Sequence, residues 1–363
     1  MNNTVTLTVN GRDYQGFKNV SISAGIERQC RSFQLSTTWR WPGQTVDLPI
    51  RFGDKVEIKI GNDLVLTGWV DATPVSVSGN AVTRTVTGRS LTCDLVDCSA
   101  EFSQWRSQSV VQIVSALASA YGITVQDEAQ AQEIITDHSV DPGETVFDSI
   151  DRLLSLSRLL STDNGSGQLV IASPGSGGRA VDELVLGENI LESSMGQDFS
   201  RCFSEYRCLG QRSGSDEIDA VGAAEVNATQ TDARVMRKRV LIIQQSGQLT
   251  PELAQERVKW ECESRLSKAL SASITVQGWR QSNGTLWQPN QIVRVRDEAC
   301  GIDRDMLIVE IEYELSESGL LAHMNLAPPE GFGAKPTAPK ASGVKASAKD
   351  SFEYLIPADW DKK

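Results

Sequence analysis

Lys55-Val56-Glu57-Ile58-Lys59-Ile60-Gly61-Asn62-Asp63-Leu64-Val65-Leu66 alternates apolar and charged residues, turns, and resumes as an apolar run. Successive side chains of an extended strand point to opposite faces. Val56, Ile58 and Ile60 therefore share one face, and Glu57 and Lys59 share the other. Gly61-Asn62-Asp63 carries the residue types that turn a chain. Working outward, Val5, Leu7 and Val9 alternate with Thr4, Thr6 and Thr8 in the same period. Val75-Ser76-Val77 and Val82-Thr83-Arg84-Thr85-Val86 flank Gly79-Asn80, a hairpin signal. Short strands at this spacing predict a small barrel or sandwich over residues 1–98.

The period changes near residue 99. Val110, Ile113, Val114, Leu117 and Tyr121 fall on one helical face, with Ser109 as cap and Gly122 as stop. A second helix is expected from Thr145, where Thr145-x-x-Asp148 resembles a capping box. It carries Ile150, Leu153 and Leu154, with Asp163-Asn164-Gly165 as its end and Leu169-Val170-Ile171 as a following strand. Residues 99–189 thus read as a small α/β domain containing a flexible loop, Pro174 to Gly178. Residues 190–250 read as return strands able to complete the first barrel, over Arg201 to Leu209 and Val235 to Ile243, with a polar loop between them.

Thr250-Pro251-Glu252 opens a helix, with a cap, a proline at the first position and an early acid. Ala254, Val258, Cys262, Leu266 and Leu270 make its expected buried stripe. A second strand-rich block follows within 251–332. There Leu307, Val309, Ile311, Tyr313 and Leu315 alternate with Ile308, Glu310, Glu312 and Glu314, and Leu320 to Leu326 is the last strand before Pro328-Pro329. The expected class is α+β, mainly β: two small β-barrel domains, a small α/β insert domain and a flexible C-terminal tail over 333–363. That tail is rich in Pro, Ala, Lys and Ser as far as Asp350. It closes on Phe352, Tyr354, Leu355, Ile356 and Trp360, an apolar patch suited to docking.

Composition narrows the function classes. The chain has 363 residues, 40% of them hydrophobic and 23% charged, the mix of a globular protein of several domains. Lys and Arg number 35 against 47 Asp and Glu, a net charge of −12 that gives no general attraction for nucleic acid or an anionic membrane. No run approaches the ~20 apolar residues of a membrane-spanning helix. Met1-Asn2-Asn3-Thr4 has neither the basic nor the apolar region of a secretory signal, so none is expected. Seven cysteines, an odd number without a C-x-x-C pair, read as buried thiols.

Catalytic signatures are sought in vain. His138, read as lying in a polar loop, and His323, read in a strand, have no second histidine at metal-ligand spacing. Glu310, Glu312 and Glu314 are like acids on one strand face, read as a solvated face rather than as the two unlike acids of a glycosidase. No G-x-S-x-G or phosphate loop is present. Arg237-Lys238-Arg239 lies on a predicted strand that would split it between faces. No catalytic, cofactor or metal residue is expected. The partner-contact candidates are the aromatic residues Trp39 and Trp41, beside Pro42-Gly43, with Tyr354 and Trp360 in the tail.

Three stretches, taken in order, resemble the baseplate hub proteins of contractile-tailed phages, most nearly those of Mu-like phages. The first runs from Phe52-Gly53-Asp54-Lys55-Val56-Glu57-Ile58 through Thr67-Gly68-Trp69-Val70-Asp71 to Gly88-Arg89-Ser90-Leu91-Thr92-Cys93-Asp94-Leu95-Val96-Asp97. The second is the helix ending in Tyr121-Gly122-Ile123. The third runs from Leu286-Trp287-Gln288-Pro289-Asn290 through Met306-Leu307-Ile308-Val309 to Leu326-Ala327-Pro328-Pro329. The resemblance implies two similar barrels per chain, a homotrimer, and a ring of six barrels. The ring would join the tail tube to the spike protein and let DNA through its channel without specific binding. It implies a place in the virion tail baseplate after assembly in the host cytoplasm, and no membrane insertion. The rival readings are a tail-associated peptidoglycan hydrolase and a glycan-binding adhesion module. The missing catalytic constellation opposes the first, and the spread of tryptophans from Trp39 to Trp360 opposes the second.

Overall fold

The structure is a computed structural model that describes residues 2–38, 50–79, 82–156, 159–211, 225–248 and 250–332. The described residues fall into two compact units. The larger runs to Cys202 and resumes at Trp260; the smaller is Phe203–Lys259.

A fourteen-stranded sheet dominates the larger unit. Its first half orders Ser32–Thr38, Val82–Ser90, Asp63–Ala72, Lys55–Ile60 and Val5–Val9 outward from Asn19–Gly25. Lys55–Ile60 buries Val56, Ile58 and Ile60 and turns Glu57 and Lys59 outward, as the alternation predicts. Leu7 lies opposite Ile58 on the neighbouring strand. The second half orders Gly319–Ala327, Leu270–Gln277 and Ile190–Gln197 outward from the fifteen-residue strand Ile302–Ser316.

The two halves meet edge to edge. Asn19–Gly25 pairs antiparallel with Ile302–Ser316, from Glu310 opposite Gly25 to Leu315 opposite Val20. The strand-rich blocks therefore share one ladder. Along it the hydrogen-bonded path ends at Ile190–Gln197 on one side and at Arg12–Tyr14 on the other, and does not close among the described residues. A single apolar core runs under both halves, holding Leu7, Ile22 and Leu35 together with Ile274, Trp279 and Met324.

The α/β insert belongs to this unit. Helix Val110–Ser119 starts on a full capping box: Ser109 accepts from the Gln112 amide at 3.2 Å, and the Gln112 side chain accepts from the Ser109 amide at 3.0 Å. Thr145 receives the Asp148 amide at 3.0 Å ahead of helix Val146–Leu156. Ile113, Leu117, Ile150, Leu154 and Ile171 close a second core between these helices and a three-stranded sheet.

Asp163-Asn164-Gly165 does not end the helix. It turns a hairpin whose arms, Leu160–Asp163 and Leu169–Ala172, pair antiparallel. Asn164 Oδ1 accepts from the Ser166 and Gln168 amides, which holds the turn. A Cβ on Gly165 would strike the Leu64 carbonyl of the large sheet, so close approach, rather than helix termination, explains the glycine.

The 190–250 strands do not pair with the first block. Ile190–Gln197 joins Leu270–Gln277. In the smaller unit, Glu205–Gln211 lies between Glu225–Thr231 (antiparallel) and Val240–Gln248 (parallel). The polar loop expected between the two return strands thus contains a strand. Its buried residues are only Val226 and Ala228, and alanine is a weak apolar signal, so the alternation is short and faint.

Helix Pro251–Ala269 starts where the Thr250 cap predicts, with Thr250 Oγ1 receiving the Leu253 amide at 3.2 Å. Ala254, Val258 and Cys262 are buried. Leu266 is only half-buried, and Leu270 already belongs to the next strand.

Candidate assembly surface

The long strand Ile302–Ser316 has two roles because its side chains alternate. Ile311 and Tyr313 point into the core. The Tyr313 hydroxyl donates to the Trp287 carbonyl, and its ring meets Trp279 edge-on at 6.1 Å. Full burial raises the Tyr313 hydroxyl well above the usual phenol range. Trp279 Nε1 donates to the Glu314 and Leu321 carbonyls at 3.1 and 2.9 Å, so this aromatic core is also hydrogen-bonded.

The other face carries Glu310, Glu312 and Glu314. The expected solvated face is corrected here: all three acids are half-buried, and each is engaged across a strand boundary. Glu310 takes Arg28 at 3.2 Å and Asn325 at 3.1 Å. Glu312 accepts from Ser21 on the first half of the sheet. Glu314 meets His323 Nε2 at 2.7 Å, and His323 Nδ1 lies 2.9 Å from Thr275 Oγ1. Hydrogen bonds from Ser316 and His323 hold the Glu314 carboxyl below the usual carboxylate range. Glu310 and Glu312 thereby tie the two halves across their seam, while Glu314 ties neighbouring strands within the second half.

Two polar clusters fix other parts of the larger unit. Asp163, with its side chain 1% exposed, accepts from the Arg31 amide at 3.1 Å, from Arg31 Nε at 3.0 Å, from Thr92 Oγ1 at 3.2 Å and from Ser90 Oγ. Arg280 donates to Asp63 at 2.7 Å, to Asn3 at 2.9 Å and to the Ile60 carbonyl at 2.9 Å. The first cluster pins the insert to the sheet. The second clamps the Trp279–Trp287 turn onto the first half's outer strands.

His138 lies in the strand Ile134–Ser139 rather than in a loop, buried and 2.9 Å from the Ser149 hydroxyl. Burial and the nearby Arg152 push its imidazole below the usual range, which favours the neutral form. Burial pushes the Cys93 thiol up to about 12, and Cys30 and Cys208 upward as well. Among the described residues no group of three or more His, Cys, Asp or Glu is placed to hold a metal ion. No described helix is long and apolar enough to cross a membrane. In the smaller unit Arg237-Lys238-Arg239 precedes the strand Val240–Gln248 instead of lying on it, and Arg239 stacks over the Phe203 ring at 5.0 Å.

Trp39, Trp41, Tyr354 and Trp360 lie outside the described residues. The described surface adds apolar side chains that sequence reasoning passed over. Phe52 is 82% exposed in the turn Arg51 to Asp54, Phe102 is 79% exposed, and Val77 is 74% exposed on the short strand Val75–Val77. A phenylalanine inside a turn motif was the available signal for Phe52. Large side chains in water suit contact with other chains.

Comparison with known proteins matches this architecture. The family model for the Mu phage baseplate assembly protein GpP-like N-terminal region matches residues 4–90. The second domain of the baseplate hub protein gp44-like family matches 92–173, and the fourth domain of GpP matches 250–335. The baseplate hub protein gp44 of Escherichia phage Mu is 34% identical over 343 residues, 92% of this chain and 89% of that one. The 43 kDa tail protein of prophage MuSo2 from Shewanella oneidensis superposes with a TM-score of 0.81 at 30% identity, covering 91% of this chain and 99% of the other. The tail protein of Neisseria meningitidis MC58 shares the fold, with a TM-score of 0.77 at 21% identity over 92% of this chain and 99% of that one.

A mostly β chain that shares its fold along nearly its full length with tail proteins is a phage tail component. The chain belongs to the family of Mu-like phage baseplate hub proteins. Its relatives are structural proteins of the tail baseplate.

Proposed function

We propose that three copies of this chain close into the central ring of the baseplate, joining the tail tube above to the spike below, with DNA passing through. The observation that carries this reading is the single ladder made of two strand-rich halves with both ends open. Open edges call for cover or pairing, and cyclic assembly supplies it. On this reading each half curls as one small barrel, and three chains supply six. The segments 1–98, 99–189, 190–250, 251–332 and 333–363 are its building blocks.

The chain acts as a scaffold without catalysis. The three glutamates that came nearest to a catalytic face are committed to ties between strands. Trp39, Trp41, Tyr354 and Trp360 are its contacts with other chains, and assembly takes place in the host cytoplasm. With −12 on each copy, the ring repels phosphate rather than holding it.

Images of the purified protein should show a ring of threefold symmetry with an open centre, and a gel-shift titration at moderate salt should show no DNA retention. Particles with twofold symmetry would overturn the ring, and tight salt-sensitive DNA binding would overturn free passage. Release of soluble muropeptides from cell wall, lost in Glu312→Gln, would make the protein a hydrolase.

A further inference from the structure

The hydrogen-bonded path of the large sheet ends differently on its two sides. On the first half it ends at Arg12–Tyr14, which the turn Asn10-Gly11 joins to Val5–Val9. Asn10 Nδ2 donates to Asp54 at 3.3 Å and ties this turn to the turn Arg51 to Asp54. Asp54 also accepts from the Arg51 amide at 2.8 Å, so its carboxylate is occupied inside its own turn. Phe52 projects into water there, flanked by the exposed cations Arg51 and Lys55, and the exposed Arg12 opens the terminal strand. None of these three cations has an ion-pair partner among the described residues.

On the second half the path ends at Ile190–Gln197. The turn before that strand is held by Asn189, which accepts from the Val185 amide at 2.8 Å and donates to the Glu183 carbonyl at 2.7 Å. It leaves Leu186 and Glu188 exposed. A register shift between Ile190 and Glu192 makes Leu191 a bulge residue, and Leu191 and Glu192 are both exposed. Arg296 holds Glu183 at 3.1 Å, whereas Glu188 and Glu192 have no ion-pair partner among the described residues. This end is thus acidic around two leucines, and the other is basic around one phenylalanine.

Building on the ring reading, we propose that these two ends dock on one another between copies of this chain. Phe52 of one copy seats against Leu186 and Leu191 of the next, while Arg12, Arg51 and Lys55 face Glu188 and Glu192. Charge selects this occupant. A head-to-tail contact joins two different surfaces, so opposite signs can meet across it. A twofold contact would set either end against itself, cation facing cation or acid facing acid, which is repulsive. The apolar side chains form the centre and the charges the rim, the ordinary anatomy of a protein contact. A contact of this kind leaves each copy with one free end of each sign, so it propagates from copy to copy until the ring closes.

Light scattering on full-length variants tests the contact. The double variant Glu188→Lys, Glu192→Lys changes exposed positions and should weaken self-association at least about tenfold without moving the melt. Arg51→Glu with Lys55→Glu should weaken it to a similar degree. All four changes in one chain restore opposite signs and should bring association back to within about threefold of the parent. Leu191→Lys replaces the first variant should that one melt abnormally. Carbodiimide coupling of mixed heavy- and light-isotope copies should join Lys55 of one copy to Glu188 or Glu192 of another. A trimer that the reversals leave intact overturns the contact and spares the ring, assigning these ends to a different protein. Weakening that the fourfold variant fails to repair overturns the pairing of the two ends. A dimer that either reversal dissolves and the fourfold variant restores overturns the ring and spares the contact. A parent that stays monomeric throughout overturns both.

Discussion

The two halves of the large sheet are built from different materials. The first half packs mainly aliphatic side chains, with Leu7, Ile22, Leu35, Ile58 and Leu66 pointing inward beside Phe17 and Phe33. The second half packs Trp279, Trp287, Tyr313, Met306 and Met324 and ties its aromatics to backbone carbonyls. They nevertheless share one core because a single strand, Ile302–Ser316, serves both. Its early residues pair with Ile292–Asp297, and its later residues pair with Asn19–Gly25 and Gly319–Ala327. A register shift between Ile308 and Glu310 marks the change of duty. One shared strand can thus make a single folding unit of two blocks that would otherwise read as separate domains.

The largest expected effect tests that unity. Trp279→Ala in the second half and Leu7→Ala in the first should each cost ~3–5 kcal/mol, since both are fully buried. In thermal melts each variant should lower one and the same transition of the larger unit. A transition that moves for one variant and stays for the other would separate the halves.

Asp163→Ala should come next, at about 3 kcal/mol, because it leaves Arg31 half-satisfied beneath the insert. Exchange of insert amides should rise together with the melt's displacement; a change confined to one hairpin would demote the cluster from pin to local turn. Arg280→Ala should cost ~1.5–3 kcal/mol from lost charged hydrogen bonds, and should loosen the Gly61 turn before the seam. A cost below 0.5 kcal/mol, on the scale of surface substitutions, would show that the clamp is idle.

The legible parts of the sequence were those in which one period sufficed. Val56, Ile58 and Ile60, and the Ser109-capped helix, needed only local pattern. The Asp163 turn was misread because Asn-Gly after an apolar stretch serves a hairpin as well as a helix end, and the arbiter is Leu64 across the sheet. Glu225–Thr231 was missed because small buried residues give a weak alternation. Glu310 and Glu312 looked solvated because their partners Arg28 and Ser21 lie nearly three hundred residues away in sequence. The sharing of one strand by both halves is likewise a long-range fact, carried by no window of sequence.

The smallest effect sits within the second half, beside the seam. The Glu314 carboxyl titrates below its ordinary range in the folded chain, so its tie to His323 and Ser316 contributes above the ordinary carboxylate range and fades as pH falls through the lowered value. Glu314→Gln should therefore differ from the parent by less than ~1 kcal/mol near neutrality and converge with it in acid. A difference that grows on acidification would reverse the assigned sign.

Assembly is the central claim, and molar mass in solution tests it most directly. Light scattering on the purified chain, from micromolar to about a hundred micromolar, should converge on three times the mass of one chain. A stable dimer, or a monomer that persists across that whole range, would contradict the ring.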